Sequence, residues 1–240
     1  MALTSGGMNM KWLLKACFTV AVFIIVSSLL ITFPLKYINP IFWSWQLQRE
    51  FNPPALYPAD AKYHWVSIDN ISSSMQLAVI AAEDQLFLSH NGIDIESTKQ
   101  AIDDMIIGKR FRGASTLSQQ TVKNLYLWPG KSITRKAIEA WLTLLIEWQW
   151  DKQRILEIYL NIVEFGPGIY GVEAASQHYF GVSAKQLSAA QSARLAAVLP
   201  NPYRFSAAAP STYQIKREQW IRQQMRQLGL AYLRPIKLER

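Results

Sequence analysis

The sequence predicts an all-α fold, with one transmembrane helix ahead of a helical body. Three observations predict it. Residues 16–33 carry no charge. From residue 71 to residue 228, apolar positions recur at spacings of three and four, the period of one helix face. No stretch alternates apolar and polar residues with the period of two that a half-buried strand requires.

Residues 1–11 read as a cytoplasmic tail and 12–33 as the membrane span, which reaches the roughly 20 residues that cross a bilayer. The apolar run exceeds a signal-peptide core of about 7–15 residues, and no small-x-small cleavage site follows before Pro34. Lys11, Lys15 and the amino terminus precede the run and no acid does, so the positive-inside rule puts the body outside the cytoplasm. The sole cysteine, Cys17, lies in the span, which leaves the body without disulfides or thiol chemistry.

Residues 34–64 read as a membrane-proximal tether. Phe42, Trp43 and Trp45 stand where an aromatic belt lies, and Asn52-Pro-Pro54 and Pro58 break regular structure. The body, residues 65–240, offers helix candidates at 71–89, 94–107, 115–125, 133–150, 151–164, 171–179, 183–199 and 212–228, with Asp151, Ser183 and Ser211 as caps. The net charge of +8 comes mostly from residues 204–240, where Arg204, Lys216, Arg217, Arg222, Arg226, Arg234, Lys237 and Arg240 face only Glu218 and Glu239. Behind a membrane anchor such a basic helix meets lipid head groups rather than nucleic acid; a solvated basic face with Ile221, Met225 and Leu228 packed inward fits as well.

Candidate chemistry begins with Glu83 and Asp84, adjacent acids inside an otherwise apolar run. On a helical wheel Asp84 falls in the middle of the apolar stripe and Glu83 on its edge. A carboxylate on a buried face costs several kcal/mol unless paired, so the two suggest a site; a helix end with solvated acids fits these residues equally. Gly113 then supplies a turn and Ser115 or Thr116 a cap, followed by Gln119, Gln120, Lys123 and Asn124 on the next turn. Arg135, Lys136 and Glu139 put a second carboxylate beside two cations. Gly166-Pro-Gly-Ile-Tyr-Gly171 matches a dinucleotide-binding string by letter, but Pro167 interrupts it and no βαβ unit surrounds it, so it reads as a turn between helices. His64, His90 and His178 lack zinc-site spacing, and no Ser-x-x-Lys is present, so neither a metal centre nor a serine nucleophile is expected.

Two carboxylates with three cations suit glycosyl transfer from a diphosphate. A hydrolase must protonate a poor leaving group, whereas a diphosphate needs cations and one carboxylate as base for the incoming hydroxyl.

The motifs Glu83-Asp-x-x-Phe87-x-x-His90-x-Gly92, Gly113-Ala-Ser-Thr-x-x-Gln-Gln120-x-x-Lys-Asn-Leu125, Arg135-Lys-x-x-Glu139, Ile155-Leu-Glu-x-Tyr-Leu-Asn161 and Gly171-Val-x-Ala-Ala175-x-x-x-Tyr-Phe-Gly181 stand in order. Together they resemble the peptidoglycan glycosyltransferases of glycosyltransferase family 51, over about residues 65–205. The resemblance implies a lysozyme-like, two-lobed catalytic domain that polymerises lipid II into β-1,4-linked glycan with inversion and release of undecaprenyl diphosphate. It implies Glu83 as general base, with Glu139 at the donor diphosphate, directly or through a divalent cation such as Mg²⁺; no organic cofactor is implied. Lys123, Arg135 and Lys136 would hold phosphate, and Ser115, Thr116, Gln120 and Asn124 would position substrate. Asp84, Phe87, His90 and Gly113 would give structural support. A membrane-proximal jaw would fall in residues 95–112, where Ile102, Met105, Ile106 and Phe111 either touch lipid or pack internally. The expected setting is the bacterial inner membrane, single-pass, with the domain on the periplasmic side. Expected partners are lipid II, the growing lipid-linked glycan, membrane lipids, and other wall-synthesis and division proteins. A lytic enzyme of the same fold and a non-catalytic scaffold are the alternatives. Asp151 stands where the family often has Ser, and the aromatic run Trp148-Gln-Trp150 is left without a role.

Overall fold

The structure, a computed structural model, describes residues 10–107, 115–130 and 132–238. Helix α1 (Met10–Thr32) is the apolar span, the one helix among the described residues long and apolar enough to cross a membrane. Most of its side chains face outward; only Ser28 and Thr32 are buried. Those two form its seam with the body. Ser28 Oγ accepts from Trp141 Nε1 at 3.2 Å, Thr32 Oγ1 from Gln149 Nε2 at 2.9 Å, and the Thr32 carbonyl from Trp150 Nε1 at 3.2 Å. Trp150 therefore clamps the C-terminal end of α1, while Trp148 stays 77% exposed.

Residues 34–64, expected to be a tether, instead pack onto the body. Trp43 is only 1% exposed, edge-on to Tyr63 and Tyr170 with centroids 4.9 and 5.4 Å away. Helix α2 (Ser44–Phe51) follows and lies along α5 (Leu117–Tyr126). The aromatic-belt reading fails for Trp43, whose ring is buried in the core, and for Trp45, which lies against Lys123, while Phe42 is exposed.

Helix α3 (Ser73–Glu83), capped by Ser72, is buried along its length from Met75 to Ala81. It packs against α9 (Ala189–Ala196) and α10 (Thr212–Leu228). The sequence suggested a helix running on to residue 89, but α3 stops at Glu83 because Asp84 adopts φ −160° and turns the chain. Helix α4 (Ile95–Ile106) covers most of the expected jaw. The side chains of Ile102, Met105 and Ile106 lie outside the described set, as do Phe111 and Gly113 entirely.

Helix α5 (Leu117–Tyr126) opens with a capping box between Thr116 and Gln119, an arrangement that contributes about 1 kcal/mol. It packs between α6 (Ile133–Gln149) and α7 (Lys152–Ile162), the latter capped by Asp151 as expected. The glycine string is a β-hairpin rather than a turn between helices. β2 (Glu164–Gly166) pairs antiparallel with β3 (Ile169–Tyr170), and β1 (Lys62–Tyr63) adds parallel to β3 on the other side. Strands this short carry too few residues to show a period. Helix α8 (Val172–Phe180) follows. The expected helix over 183–199 is divided: a 3₁₀ turn at Ala184–Gln186 ends at Leu187, and the box Ser188-Ala-Ala-Gln191 starts α9 afresh. Ile221 and Met225 of α10 are buried, so the inward-packed alternative describes that basic helix. Helix α11 (Arg234–Leu238) closes the described chain.

Candidate active site

Glu83 is the last residue of α3 and lines a cleft of about 410 Å³ with Asp84, Ser97, Ser115, Thr116 and Trp220. Gln120 on α5 donates its amide to Glu83 Oε2 at 3.0 Å, and the amide oxygen accepts the Tyr159 hydroxyl at 3.1 Å. That chain fixes which way the amide points and holds the carboxylate in one orientation. Burial raises the Glu83 pKa, the Asp84 charge adds to it, and the Gln120 hydrogen bond with the Arg217 and Lys123 charges oppose it. A carboxylate so placed suits a general base.

Asp84 does a different job. It is buried, takes His90 Nε2 at 2.9 and 3.1 Å, and accepts the Leu117 backbone N–H at 2.9 Å. Its carboxylate thereby meets the positive end of α5. His90 Nδ1 accepts the Gly92 N–H at 3.1 Å, and the Gly92 carbonyl accepts Thr116 Oγ1 at 2.5 Å. Phe87 is buried, with Lys152 over its ring at 4.7 Å. Lys152 also donates to the His90 carbonyl at 2.7 Å and pairs with Glu147 at 2.8 Å. Asp84, Phe87, His90 and Thr116 together lock the segment after α3 against the start of α5.

Glu139 is 2% exposed, with both oxygens engaged: Arg135 Nη1 reaches Oε2 at 2.7 Å, and Lys136 bonds Oε1. Lys136 also reaches Ser115 Oγ at 3.3 Å. Burial lowers the Lys123 pKa, and the Glu139 and Glu83 charges counter it. Lys123, Gln120 and Asn124 line a second cleft of about 290 Å³ with Glu164, Asn201 and Tyr203. Gln120 thus lines the second cleft while bonding Glu83, which lines the first. Glu139 has no free oxygen for a divalent ion, and the described residues hold no cluster of three His, Cys, Asp or Glu, so the donor set does not fit a protein-held Mg²⁺ there.

The structure brings Glu83, Ser115, Thr116, Gln120, Lys123, Asn124, Arg135, Lys136 and Glu139 to one region, and Asp84, Phe87 and His90 beneath it. Three neighbours escaped sequence reasoning. Arg217 on α10 donates to the Ala82 carbonyl at 2.9 Å and stacks on Trp220 at 4.4 Å. Arg49 on α2 lies 3.7 Å from buried Glu164. Trp45, from the same helix, lies under Lys123 at 5.4 Å. The surplus of cations in residues 204–240 was a signal for Arg217; nothing local marked Arg49, and Trp45 read only as part of an aromatic belt.

Residues 53–226 match the family model described as Transglycosylase. The chain is 53% identical over 210 residues to a protein of Shewanella oneidensis named biosynthetic peptidoglycan transglycosylase, covering 88% of this chain and 90% of that one. Proteins of the same name from Aeromonas hydrophila and Vibrio parahaemolyticus are 51% and 48% identical, covering 88% and 93% of this chain and 90% and 100% of theirs.

Proposed function

Because the chain belongs to the transglycosylase family, we propose that it polymerises lipid II into β-1,4-linked glycan strands for cell wall synthesis. The observation that carries this reading is the division of labour between its two carboxylates. Glu83 opens to the cleft with a raised pKa, whereas Glu139 is sealed between two cations.

In the reaction, the 4-hydroxyl of lipid II attacks the anomeric carbon of the lipid-linked glycan. The bond to the diphosphate oxygen breaks with inversion, and the hydroxyl proton passes to Glu83. Glu83 then releases that proton to solvent, and undecaprenyl diphosphate leaves. Lys123, Arg135 and Lys136 offset the charge on the leaving diphosphate, where such electrostatic stabilisation is worth several kcal/mol. Glu139 keeps Arg135 and Lys136 aimed at it. Ser115 and Asn124 offer hydrogen bonds along the clefts, while the Thr116 hydroxyl is committed to Gly92 and Gln119 and shapes the wall.

The lytic alternative is disfavoured, since a hydrolase with Glu83 as its acid needs a second carboxylate open to water or the sugar, and Glu139 is sealed between Arg135 and Lys136. The N-terminal apolar helix supports a membrane anchor. Lys11 and Lys15, ahead of the uncharged run 16–33, support a cytoplasmic N-terminus and a periplasmic domain.

The test is incubation of the full chain with lipid II. The polymerase reading expects long glycan strands, and expects Glu83→Gln to abolish them. Fragment release from finished wall without polymerisation, or full polymerisation by Glu83→Gln, would sink it.

A further inference from the structure

Helix α10 presents two different faces. Arg217, Trp220 and Gln224 fall on one, and Trp220 and Gln224 line the Glu83 cleft. Arg222, Met225, Arg226 and, just past the helix, Gly229 fall on another, where they wall a separate pocket of about 410 Å³. Ser74 and Leu77 of α3, Ala189 at the start of α9 and Leu230 complete that pocket. Leu77 and Met225 are buried and supply its apolar floor, while Leu230 stands 60% exposed at the rim. Apart from the chain neighbours of Gly229, no atom lies within 4 Å of where a Cβ on it would stand, so the pocket is open on that side.

The charge at the pocket edge is uncompensated. Arg222 and Arg226 are both exposed, and neither has an acid, ring or hydrogen-bond partner among the described residues. Glu218, the acid four residues ahead of Arg222, is committed to Arg194 at 2.9 Å. Like charges four residues apart on a helix repel, so the pair gains from an anionic neighbour.

Three constraints select the occupant. The walls come from α3, α9, α10 and the 3₁₀ turn Leu230–Leu233, which pack on one another, whereas α1 packs on α6. That sets the pocket apart from the membrane span and disfavours a lipid. A second copy would bring a chain of net charge +8 against two arginines. Two guanidinium forks beside an aliphatic pocket complement carboxylates that stand next to aliphatic side chains.

We propose that this pocket docks an acidic, aliphatic segment of a partner protein. Its carboxylates meet Arg222 and Arg226, and its apolar side chains meet Leu77, Met225 and Leu230. The proposal is independent of the lipid II reading, since it uses no residue of the Glu83 or Glu139 sites.

The test selects a random-peptide phage library on the full chain in phosphatidylcholine nanodiscs, with Arg222→Glu/Arg226→Glu for counter-selection. Selected peptides should carry Asp or Glu beside Leu, Ile or Val. Their affinity, read by fluorescence anisotropy, should fall at least about tenfold in the double variant. Replacing the peptide's acids by Lys should abolish binding to the native chain and restore it to the double variant. Leu230→Asp at the rim should weaken binding without reversing the charge preference. Bound peptide should slow hydrogen exchange in residues 74–77 and 222–230. Native Tm and native lipid II polymerisation are expected of the double variant. Loss of polymerisation at native Tm would make the two arginines part of the substrate site and overturn the proposal. A library that yields no binder would overturn it, as would peptides that lack acids, bind both chains equally or protect other residues. So would displacement of the peptide by phosphatidylglycerol vesicles through the same arginines, or self-association that the double variant removes, since lipid or a second copy would then be the occupant.

Discussion

Gln120 stands between Tyr159 and Glu83, accepting from the phenol at 3.1 Å and donating to the carboxylate at 3.0 Å. The base is held by a side chain that is itself held, and the pair spans α5 and α7. Gln120→Leu should lower kcat about 100-fold, within the range by which a well-placed base contributes. Tyr159→Phe frees the amide to flip and should lower kcat less, with KM little changed in both. Steady-state polymerisation kinetics on lipid II check this; a pure KM effect would mean Gln120 binds substrate instead of placing the base.

Glu83 and Asp84 should separate by stability. Asp84→Asn keeps the shape but strips charge from a group that receives His90 and the Leu117 N–H. Weakening buried hydrogen bonds of this kind costs roughly 1–3 kcal/mol, or several degrees of Tm for a body of this size. Glu83→Gln should abolish turnover without lowering Tm. Thermal scans of the two variants decide; an equal fall in both would refute the assignment of roles.

That assignment shows how far the sequence could be read. The wheel put Asp84 inward and Glu83 at the edge, and both directions match the structure, but α3 ends at Glu83, so the wheel does not apply to Asp84. Asp84 is buried because the amide end of α5, 33 residues on, closes over it. Helix existence, the caps at Asp151 and Ser211 and the cation–carboxylate knot of Arg135, Lys136 and Glu139 were legible, since spacings of three and four carry them. Arg49 and Trp43 were not. Their places depend on tertiary contacts with no local signature, and Trp43 in particular has the same composition cues as a membrane-belt residue.

The pH dependence of Glu83 runs in two directions. Its pKa is raised in the folded state by burial, so the native protein binds more protons than the unfolded chain once pH passes the ordinary carboxylate range. Stability therefore falls as pH climbs from that range to the raised value, and Glu83→Gln should be relatively more stable than the native chain at neutral pH. Activity needs the ionised form and rises through the same window. Removing a cation that favours ionisation should move the acid limb of kcat/KM upward, and Arg217→Gln does this without touching the diphosphate cations. A pH–rate profile with an unmoved limb would remove Arg217 from the electrostatics of Glu83.

Gly92 offers a mechanical prediction. It sits at φ +87°, and a Cβ there would lie 2.7 Å from both Glu147 Cγ and Thr143 Cγ2 on α6. Gly92→Ala meets backbone strain of about 1–2 kcal/mol and overpacking of about 1–3 kcal/mol, since α6 is pinned by its bonds to α1 and cannot recede freely. Any relief must come from the Gly92 side, which carries the Thr116 contact and the His90 contact to Asp84. Gly92→Ala should therefore lower Tm by several degrees and also lower turnover, although the residue touches no substrate. Serine at the same position should behave alike, because the fault lies in the Cβ. A variant with native Tm and native turnover would show that the segment after α3 is not wedged between α6 and the start of α5.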